Sequence, residues 1–378
     1  MPQLLRSTRT PLLLLASLLL GVAPVSALLN IDGTRNQIFV FGGVTFGYSS
    51  NIFSERDGRG DSTVTAQAGA DWKRRAGIIA VDSTLKFDFL RYREFNDQST
   101  VNPSFTISFI KAEGRTTGSF KLAAYRESRA DSAVNLRTNP WNYPVSLTLR
   151  YPLSQKFYIT SDTGYLHRSY GNVQGLVDYT DFTQGVDLYY VYTSKLDLFA
   201  GYRIRLATTS LDQNSQDHWF NVGATGGLFS KLTGNVRVGY QIRKLSKAGS
   251  GQFEQLNASA GVSWPITRKM MLRLQAARDF STIATGASVD TTSVALNADY
   301  TLNRKIFLNA GVSAGRNKFL NDVADRHDTF FGWDTGIRYQ MNEHFQMGAS
   351  FSYVKNWSSL NYADFDNKGF SLDISTRY

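Results

Sequence analysis

A segment with one apolar face occupies the last ten positions of the chain, GFSLDISTRY. In a β-strand, residues that are two positions apart share a face. The apolar face holds Phe370, Leu372, Ile374, Thr376 and Tyr378, and the polar face holds Ser371, Asp373, Ser375 and Arg377. An edge strand with such a face tends to aggregate unless another strand pairs with it and its apolar side is covered. We expect barrel closure inside lipid to do both, with the last strand pairing to a first strand around residues 39–48.

The same alternation continues through most of the chain. The stretch KLDLFAGYRIRLA, residues 195–207, places apolar residues on one face and Arg203 and Arg205 on the other. We count about 18 such segments of about 10 to 14 residues, the length that a tilted strand needs to cross the hydrocarbon. No segment after the first thirty residues is continuously apolar enough for a transmembrane helix. The pattern predicts an all-β fold, a transmembrane antiparallel up-and-down β-barrel of about 18 strands without a plug domain.

The first residues have the features of a secretory signal peptide. Arg6 and Arg9 precede the apolar run Pro11 to Leu20, and Val25-Ser26-Ala27 forms a small-residue cleavage signature. A membrane anchor is the alternative, but the run is shorter than the roughly 20 residues of a bilayer span. The predicted organisation is a signal peptide at residues 1–27, a short periplasmic segment at 28–36, and an outer-membrane β-barrel at 37–378.

Aromatic residues recur just before short polar turns such as YPLSQKFYI and YTLNRKIFL. At the opposite strand ends the connections are longer and richer in Gly, Asn, Asp and Ser, as expected at the outer rim of a membrane barrel. None of these loops is long enough to predict a large inward constriction. Tyr and Trp favour the membrane interface, because the ring is apolar and its OH or NH stays hydrated. The predicted periplasmic aromatic girdle is Trp72, Tyr151, Tyr192, Trp264, Tyr300, Tyr339 and Tyr378.

Composition excludes several classes of function. The chain has no cysteine, so disulfides and cysteine-based zinc or redox sites are excluded. The formal net charge is +10, but the charges are spread along the chain and form no basic patch or nucleic-acid motif. The histidines, at positions 167, 218, 327 and 344, have no nucleophile signature beside them. We therefore predict no enzyme activity, cofactor, metal site or nucleic-acid partner.

Alternation assigns a set of charged and aromatic side chains to the lumen. The predicted pore-lining residues are Lys86, Arg150, Arg168, Arg203, Arg205, Arg237, Arg243, Arg273, Arg338, Asp82, Asp88, Asp162, Asp187, Asp299, Asp334, Phe199, Tyr189, Trp219 and Phe307. The charges either bind or steer a polar solute, or pair across neighbouring strands and hold a hydrated wall together. The aromatic rings either stack on sugars or fill an occluded lumen. The sequence leaves both alternatives open.

The signal, the hairpin repeat and the terminal Tyr378 resemble those of bacterial outer-membrane β-barrels. FVFGGVTFGYSSNIF, Phe39 to Phe53, is similar to the first strand and loop of the Putative β-barrel porin 2 family, with Ser49 where Asp is usual. The resemblance implies outer-membrane lipid as the surroundings and insertion by the barrel-assembly machinery. It also implies translocation of an exopolysaccharide or capsule with a periplasmic polysaccharide-export protein. The alternatives are a general diffusion porin for small hydrophilic solutes and a barrel that only anchors a partner.

Overall fold

The computed structural model describes residues 29–30, 36–75, 77–131, 136–171, 173–246, 251–320 and 325–378. The predicted signal peptide, residues 1–27, lies outside the described residues, as does most of the segment 28–36. No helix within the described ranges is long and apolar enough to cross a membrane.

Eighteen antiparallel strands form one continuous sheet, which confirms the predicted fold. In chain order β1 to β18 are Asn36–Ser49, Asp61–Arg74, Ala80–Tyr92, Thr100–Lys111, Thr117–Arg126, Trp141–Pro152, Phe157–Ser169, Tyr179–Val191, Leu196–Thr209, Ser215–Gly227, Thr233–Leu245, Gln252–Pro265, Met270–Thr282, Ser288–Thr301, Ile306–Phe319, His327–Gln340, Phe345–Ser358 and Phe365–Arg377. The smaller elements are a two-residue strand at Leu29–Asn30, a loop hairpin formed by Arg129–Asp131 and Leu136–Thr138, and 3₁₀ turns at Asn96–Gln98 and Asn361–Ala363. Among the described residues there is no α-helix and no plug domain.

The first and last strands close the cylinder. β1 pairs with β18 from Phe41 opposite Arg377 to Ser49 opposite Gly369. Backbone hydrogen bonds join Tyr378 and Val40 in both directions, at 3.1 and 2.9 Å. The apolar face of the last strand is thus paired at its edge, and the predicted closure is confirmed.

The short turns share one hydrogen-bond pattern. In each of several turns a Ser, Thr or Asn side chain accepts from the backbone N–H groups two and three residues further along. Thr193 Oγ1 accepts from Lys195 and Leu196 at 3.2 and 3.0 Å. Asn303 Oδ1 accepts from Lys305 and Ile306 at 2.8 and 2.9 Å. The recurring polar residue therefore satisfies turn donors that the strand ladder leaves free.

Alternate residues face opposite sides of the wall, as predicted. On β9, Leu198 is 40% exposed, whereas its neighbour Phe199 is 4% exposed. The outward row Tyr202, Phe220, Tyr240 and Leu256 runs through direct cross-strand partners on β9 to β12. Side chains on the inner face contact strands that are not their neighbours, which is possible only on the inside of the cylinder.

Candidate functional site

A buried ion cluster lies on the inner wall between β8 and β13. Its centre is Asp217, which accepts two hydrogen bonds from Arg243, at 2.7 and 2.8 Å, and one from Arg205 at 2.7 Å. Arg205 also lies 3.6 Å from Asp279 and 3.9 Å from Asp181. Asp217 and Arg243 are fully buried. We call these five residues the Asp217 cluster, and its charges balance to within one unit.

A second ion pair lies on the same wall, closer to the end that carries the short turns. Arg237 on β11 donates to both carboxylate oxygens of Asp187 on β8, at 3.1 and 2.6 Å. Because β8 and β11 are not neighbours, this pair crosses two intervening strands on the inner face. The fork geometry adds orientation as well as energy to the contact.

The predicted pore aromatics pack against other protein groups. The Tyr189 ring is stacked on Tyr158 at 4.6 Å and lies 5.0 Å from Phe199. Arginines lie over the other rings, Arg237 over Phe199 at 4.5 Å and Arg205 over Trp219 at 4.8 Å. Phe199, Trp219 and Tyr189 are all buried. These three rings fill space within the wall, and Phe307 is the predicted aromatic that remains partly exposed, with Arg338 at 5.0 Å.

The remaining predicted charges divide into paired and unpaired groups. Lys86 pairs with Asp88 at 2.8 Å, Arg273 pairs with Asp299, and Asp82 pairs with Arg75 at 2.7 Å. Asp162 accepts from Thr148 at 2.8 Å, Asp334 accepts from Asn309 at 3.4 Å, and Arg168 donates to Asn142 at 2.7 Å. Arg150 lies over the Tyr158 ring at 3.8 Å. Within the part of the chain that the structure describes, Arg150, Arg168, Arg203 and Arg338 form no ion pair with a carboxylate. The pairing alternative therefore describes the paired subset, and a role in binding or steering a solute stays a prediction for the four arginines without an ion pair.

The seven predicted girdle residues lie within two residues of the turn-side ends of even-numbered strands. Trp264 and Tyr192 are strongly exposed. Trp72 Nε1 donates to Asn36 Oδ1 at 3.2 Å, and Tyr378 stacks on His344 with 4.8 Å between ring centroids. Their depth in a bilayer remains a prediction.

The outer half of the β13–β14 hairpin leaves the wall and folds into the lumen. Pairing between β12 and β13 begins at Pro265 opposite Met271 and stops at Ala258 opposite Arg278, although both strands continue beyond that point. Beyond it, Arg205 donates to the carbonyl of Phe280 at 2.7 Å. The ring of Phe280, whose position in the alternation faces lipid, is instead 2% exposed and lies 5.2 Å from the Arg243 guanidinium.

Two charges explain why this hairpin tip turns inward. Arg278 and Asp290 occupy positions that alternation assigns to lipid, and they pair with each other at 3.0 Å. Arg278 lies six residues along β13 from Leu272, the partner of Trp264, which places it about 15 Å above the girdle on a tilted strand. A charge facing lipid near that depth costs about 2 to 4 kcal/mol. Folded inward, Asp290 instead accepts from Gln255, with the amide nitrogen turned toward it, at 2.9 and 3.0 Å.

A long loop enters the lumen from the opposite side, which corrects the expectation that no loop forms a constriction. The loop Glu127–Pro140 joins β5 to β6 and carries the hairpin Arg129–Asp131 and Leu136–Thr138. Arg129 to Asp131 line a cavity together with Thr291 and Phe319, on β14 and β15. β5 and β14 are nine strands apart in an eighteen-stranded cylinder, so the loop reaches the far wall. The number of residues in the loop does not indicate whether the loop folds into the lumen or stays at the rim.

Contacts between loops fix these inward segments. Arg137 donates to the Ile52 carbonyl at 3.0 Å, and burial lowers the pKa of its guanidinium. Val177, in the β7–β8 loop, donates its N–H to the Ala284 carbonyl in the β13–β14 loop at 2.8 Å. Val177 and Ala284 are both buried. These contacts join segments of four connections, β1–β2 with β5–β6 and β7–β8 with β13–β14, at the long-loop end of the lumen.

Sequence reasoning missed several residues of this site. Asp217 lies two positions from Trp219, and Asp279 lies six positions from Arg273, so each shares a strand face with a predicted pore-lining residue. Asp181 likewise shares a face with Asp187, and the alternation rule therefore also assigns these three carboxylates to the lumen. Arg278, Phe280 and Asp290 have the opposite alternation. A charge pair on a lipid-facing stripe was the available signal, because such a stripe rarely tolerates two charges.

Solved structures share the fold of this chain at low sequence identity. The crystal structure of Pseudomonas aeruginosa OpdK with vanillate matches with 10% identity and a TM-score of 0.53, covering 90% of this chain and 99% of that one. A BenF-like porin from Pseudomonas fluorescens Pf-5 matches with 12% identity and a TM-score of 0.52, covering 91% and 98%. Pseudomonas aeruginosa OccK2 (OpdF) in complex with glucuronate matches with 10% identity and a TM-score of 0.52, covering 90% and 97%. No curated protein matches the sequence.

A family model gives the more specific result. The model described as Putative beta-barrel porin 2 matches residues 43–378. The family model connects the chain to porins, and the structural neighbours share its fold. The prediction of a polysaccharide-export channel is therefore wrong, and the findings favour the alternative of a porin. The porin-like barrel indicates a channel in the outer membrane, and the chain belongs to the Putative beta-barrel porin 2 family.

Proposed function

We propose that the protein is an outer-membrane porin through which small hydrophilic solutes diffuse. The observation that carries the proposal is a closed barrel whose ionised lumen is narrowed by segments from opposite walls. Small molecules in the named structural neighbours, vanillate and glucuronate, are of the size class that such a passage favours.

The inner wall suits hydrated solutes of moderate size. Its buried charges are paired, as in the Asp217 cluster and the Asp187–Arg237 pair, so they keep the wall polar without presenting a strong field of one sign. Paired charges and hydroxyl groups replace part of the hydration of a passing solute. A flexible polymer chain needs a wide continuous passage, which the inward loop Glu127–Pro140 and the β13–β14 tip obstruct.

The periplasmic half of the lumen is more open to solvent. A cavity there is lined by Arg273, Asp299, Phe307, Gly336 and Arg338. Glycines provide its room, since a Cβ at Gly336 would lie 2.6 Å from Asn309 Oδ1. The proposed path therefore runs from a narrow outer half into a wider polar vestibule.

Single-channel recording in planar bilayers tests the proposal. The purified barrel should show discrete, ohmic openings, and a variant in which residues 129–138 are replaced by a Gly-Ser pair should conduct more, because the inward loop is removed. A variant with the same replacement at the short turn 302–305 is the control and should conduct like the wild type. Absence of openings in both the wild type and the loop variant, with barrels that remain folded on unboiled gels, would contradict the proposed porin.

A further inference from the structure

The seam between β12 and β13 offers the β13 tip a second position. The register that ends at Ala258 opposite Arg278 would, if continued, set Phe280 opposite Leu256. Leu256 is the last member of the outward row Tyr202, Phe220, Tyr240 and Leu256, and it is 71% exposed because its next cross-strand neighbour is missing. In the wall position, Phe280 would complete this apolar row.

The backbone also has partners in that position. The outer part of β12, Gln252 to Asn257, pairs with β11 but not with β13. Continued pairing would place Ser281 opposite Gln255 on the inner face, two polar side chains that suit a lumen wall. The unpaired strand edge is therefore a template into which the β13 tip fits without a change of register.

The inward position is held by polar contacts, by the Arg205–Asp279 ion pair and by the burial of Phe280. Arg205 and Arg243 donate to the carbonyls of Phe280 and Ser281 at 2.7 and 3.0 Å. The Val177 to Ala284 backbone bond holds the tip of the same hairpin. The wall position would exchange these contacts for ladder hydrogen bonds, and the Arg278–Asp290 pair would move with the hairpin. Both charged side chains would then face lipid, and this cost makes the wall position the minor one of the two packings.

We propose that the outer half of the β13–β14 hairpin is a gate that alternates between this inward position and a position zipped into the wall beside β12. Moving into the wall would withdraw Asp279 and the hairpin tip from the lumen and widen its outer half. The proposal rests on the porin function proposed above, since a gate has a consequence only if solutes pass.

Cysteine cross-linking tests the movement directly, because the natural chain has no cysteine. The double variant Leu256→Cys with Phe280→Cys should form a disulfide only from the wall position, where antiparallel partners have Cα atoms about 4.5 to 5.5 Å apart. In the inward position the two side chains lie on opposite sides of β12. The matched control is Ala260→Cys with Ala276→Cys, a pair that is already directly opposite in the same seam.

Under mild oxidation the control pair should cross-link at once and the test pair more slowly, as the minor position is trapped. No cross-link in the test pair, with a fully cross-linked control, would overturn the gate. The oxidised test pair should then conduct more than its reduced form, while the control should conduct equally in both forms. A cross-linked test pair with unchanged conductance would also overturn the gate.

A second tether acts in the opposite direction and covers the case in which the first variant fails to fold. Gln255→Cys with Asp290→Cys joins positions that are in contact in the inward state. Its disulfide should reduce the frequency of large openings, and reduction should restore them; equal gating in both redox states would count against the proposal. If no variant conducts at all, the porin function fails, whereas the cross-linking result still decides whether the hairpin moves.

Discussion

Replacing Asp217 by asparagine tests how much the buried ion cluster stabilises the barrel. Arg243 is fully buried, and Asp217 is the carboxylate that accepts its hydrogen bonds. Arg205 also contacts Asp217, but it would keep Asp181 and Asp279 nearby after the substitution. The substitution preserves shape but removes the carboxylate that accepts the hydrogen bonds of the Arg243 guanidinium. Removing one partner of a buried pair costs about 3 to 5 kcal/mol, and we expect the lower part of that range because the amide oxygen still accepts one bond.

The matched control is the same substitution in an exposed pair. Asp299 pairs with Arg273, and their side chains are 45% and 50% exposed. Exposed pairs contribute about 0 to 1 kcal/mol, so Asp299→Asn should change stability little. Equilibrium urea unfolding in lipid vesicles, followed by tryptophan fluorescence, measures the free energy of unfolding of both variants. Equal losses in the two variants would refute the argument that burial, and not ion pairing as such, sets the cost.

Two further predictions concern the two faces of the wall. Val222 is 56% exposed at a lipid-facing position, and Val222→Arg should cost about 2 to 4 kcal/mol and reduce the yield of heat-modifiable barrel. Arg203→Leu, on the inner face, should assemble normally. Similar yields from the two variants would contradict the assigned facing. Gly201→Ala should destabilise by about 1 to 3 kcal/mol, because a Cβ there would overlap the Asp187 carboxylate, while Gly261→Ala, with nothing within 4 Å, should be tolerated. Urea unfolding compares the two glycine variants, and identical midpoints would argue against the close approach at Gly201.

The alternation of side chains predicted most of the fold. It identified the strand number, the pairing of the last strand with the first, and the inward position of residues such as Arg237 and Asp187. These features are local or follow from closure, since a strand with one apolar face needs a partner and a cover. The facing of Leu198 and Phe199 followed from the same rule.

The constriction needed the three-dimensional structure. Alternation assigns a residue to one face of its strand but does not say whether the strand stays in the wall, so the rule alone would place Phe280 toward lipid although its side chain lies inside. The loop Glu127–Pro140 extends across the lumen toward the wall that lies nine strands away. Its position depends on contacts such as that of Arg137 with Ile52, which are far apart in sequence. The resemblance to polysaccharide-export barrels misled because a shared fold does not determine what passes through it.

Solute-size dependence of liposome swelling tests the central claim most directly. Vesicles that contain the purified barrel should swell rapidly in an isotonic monosaccharide and progressively more slowly in di- and trisaccharides, and they should stay intact in a long oligosaccharide. That result would establish a passage for small hydrophilic solutes with a narrow outer half. Equal swelling rates for monosaccharide and long oligosaccharide would contradict the constriction, and no swelling with any solute would contradict the porin itself.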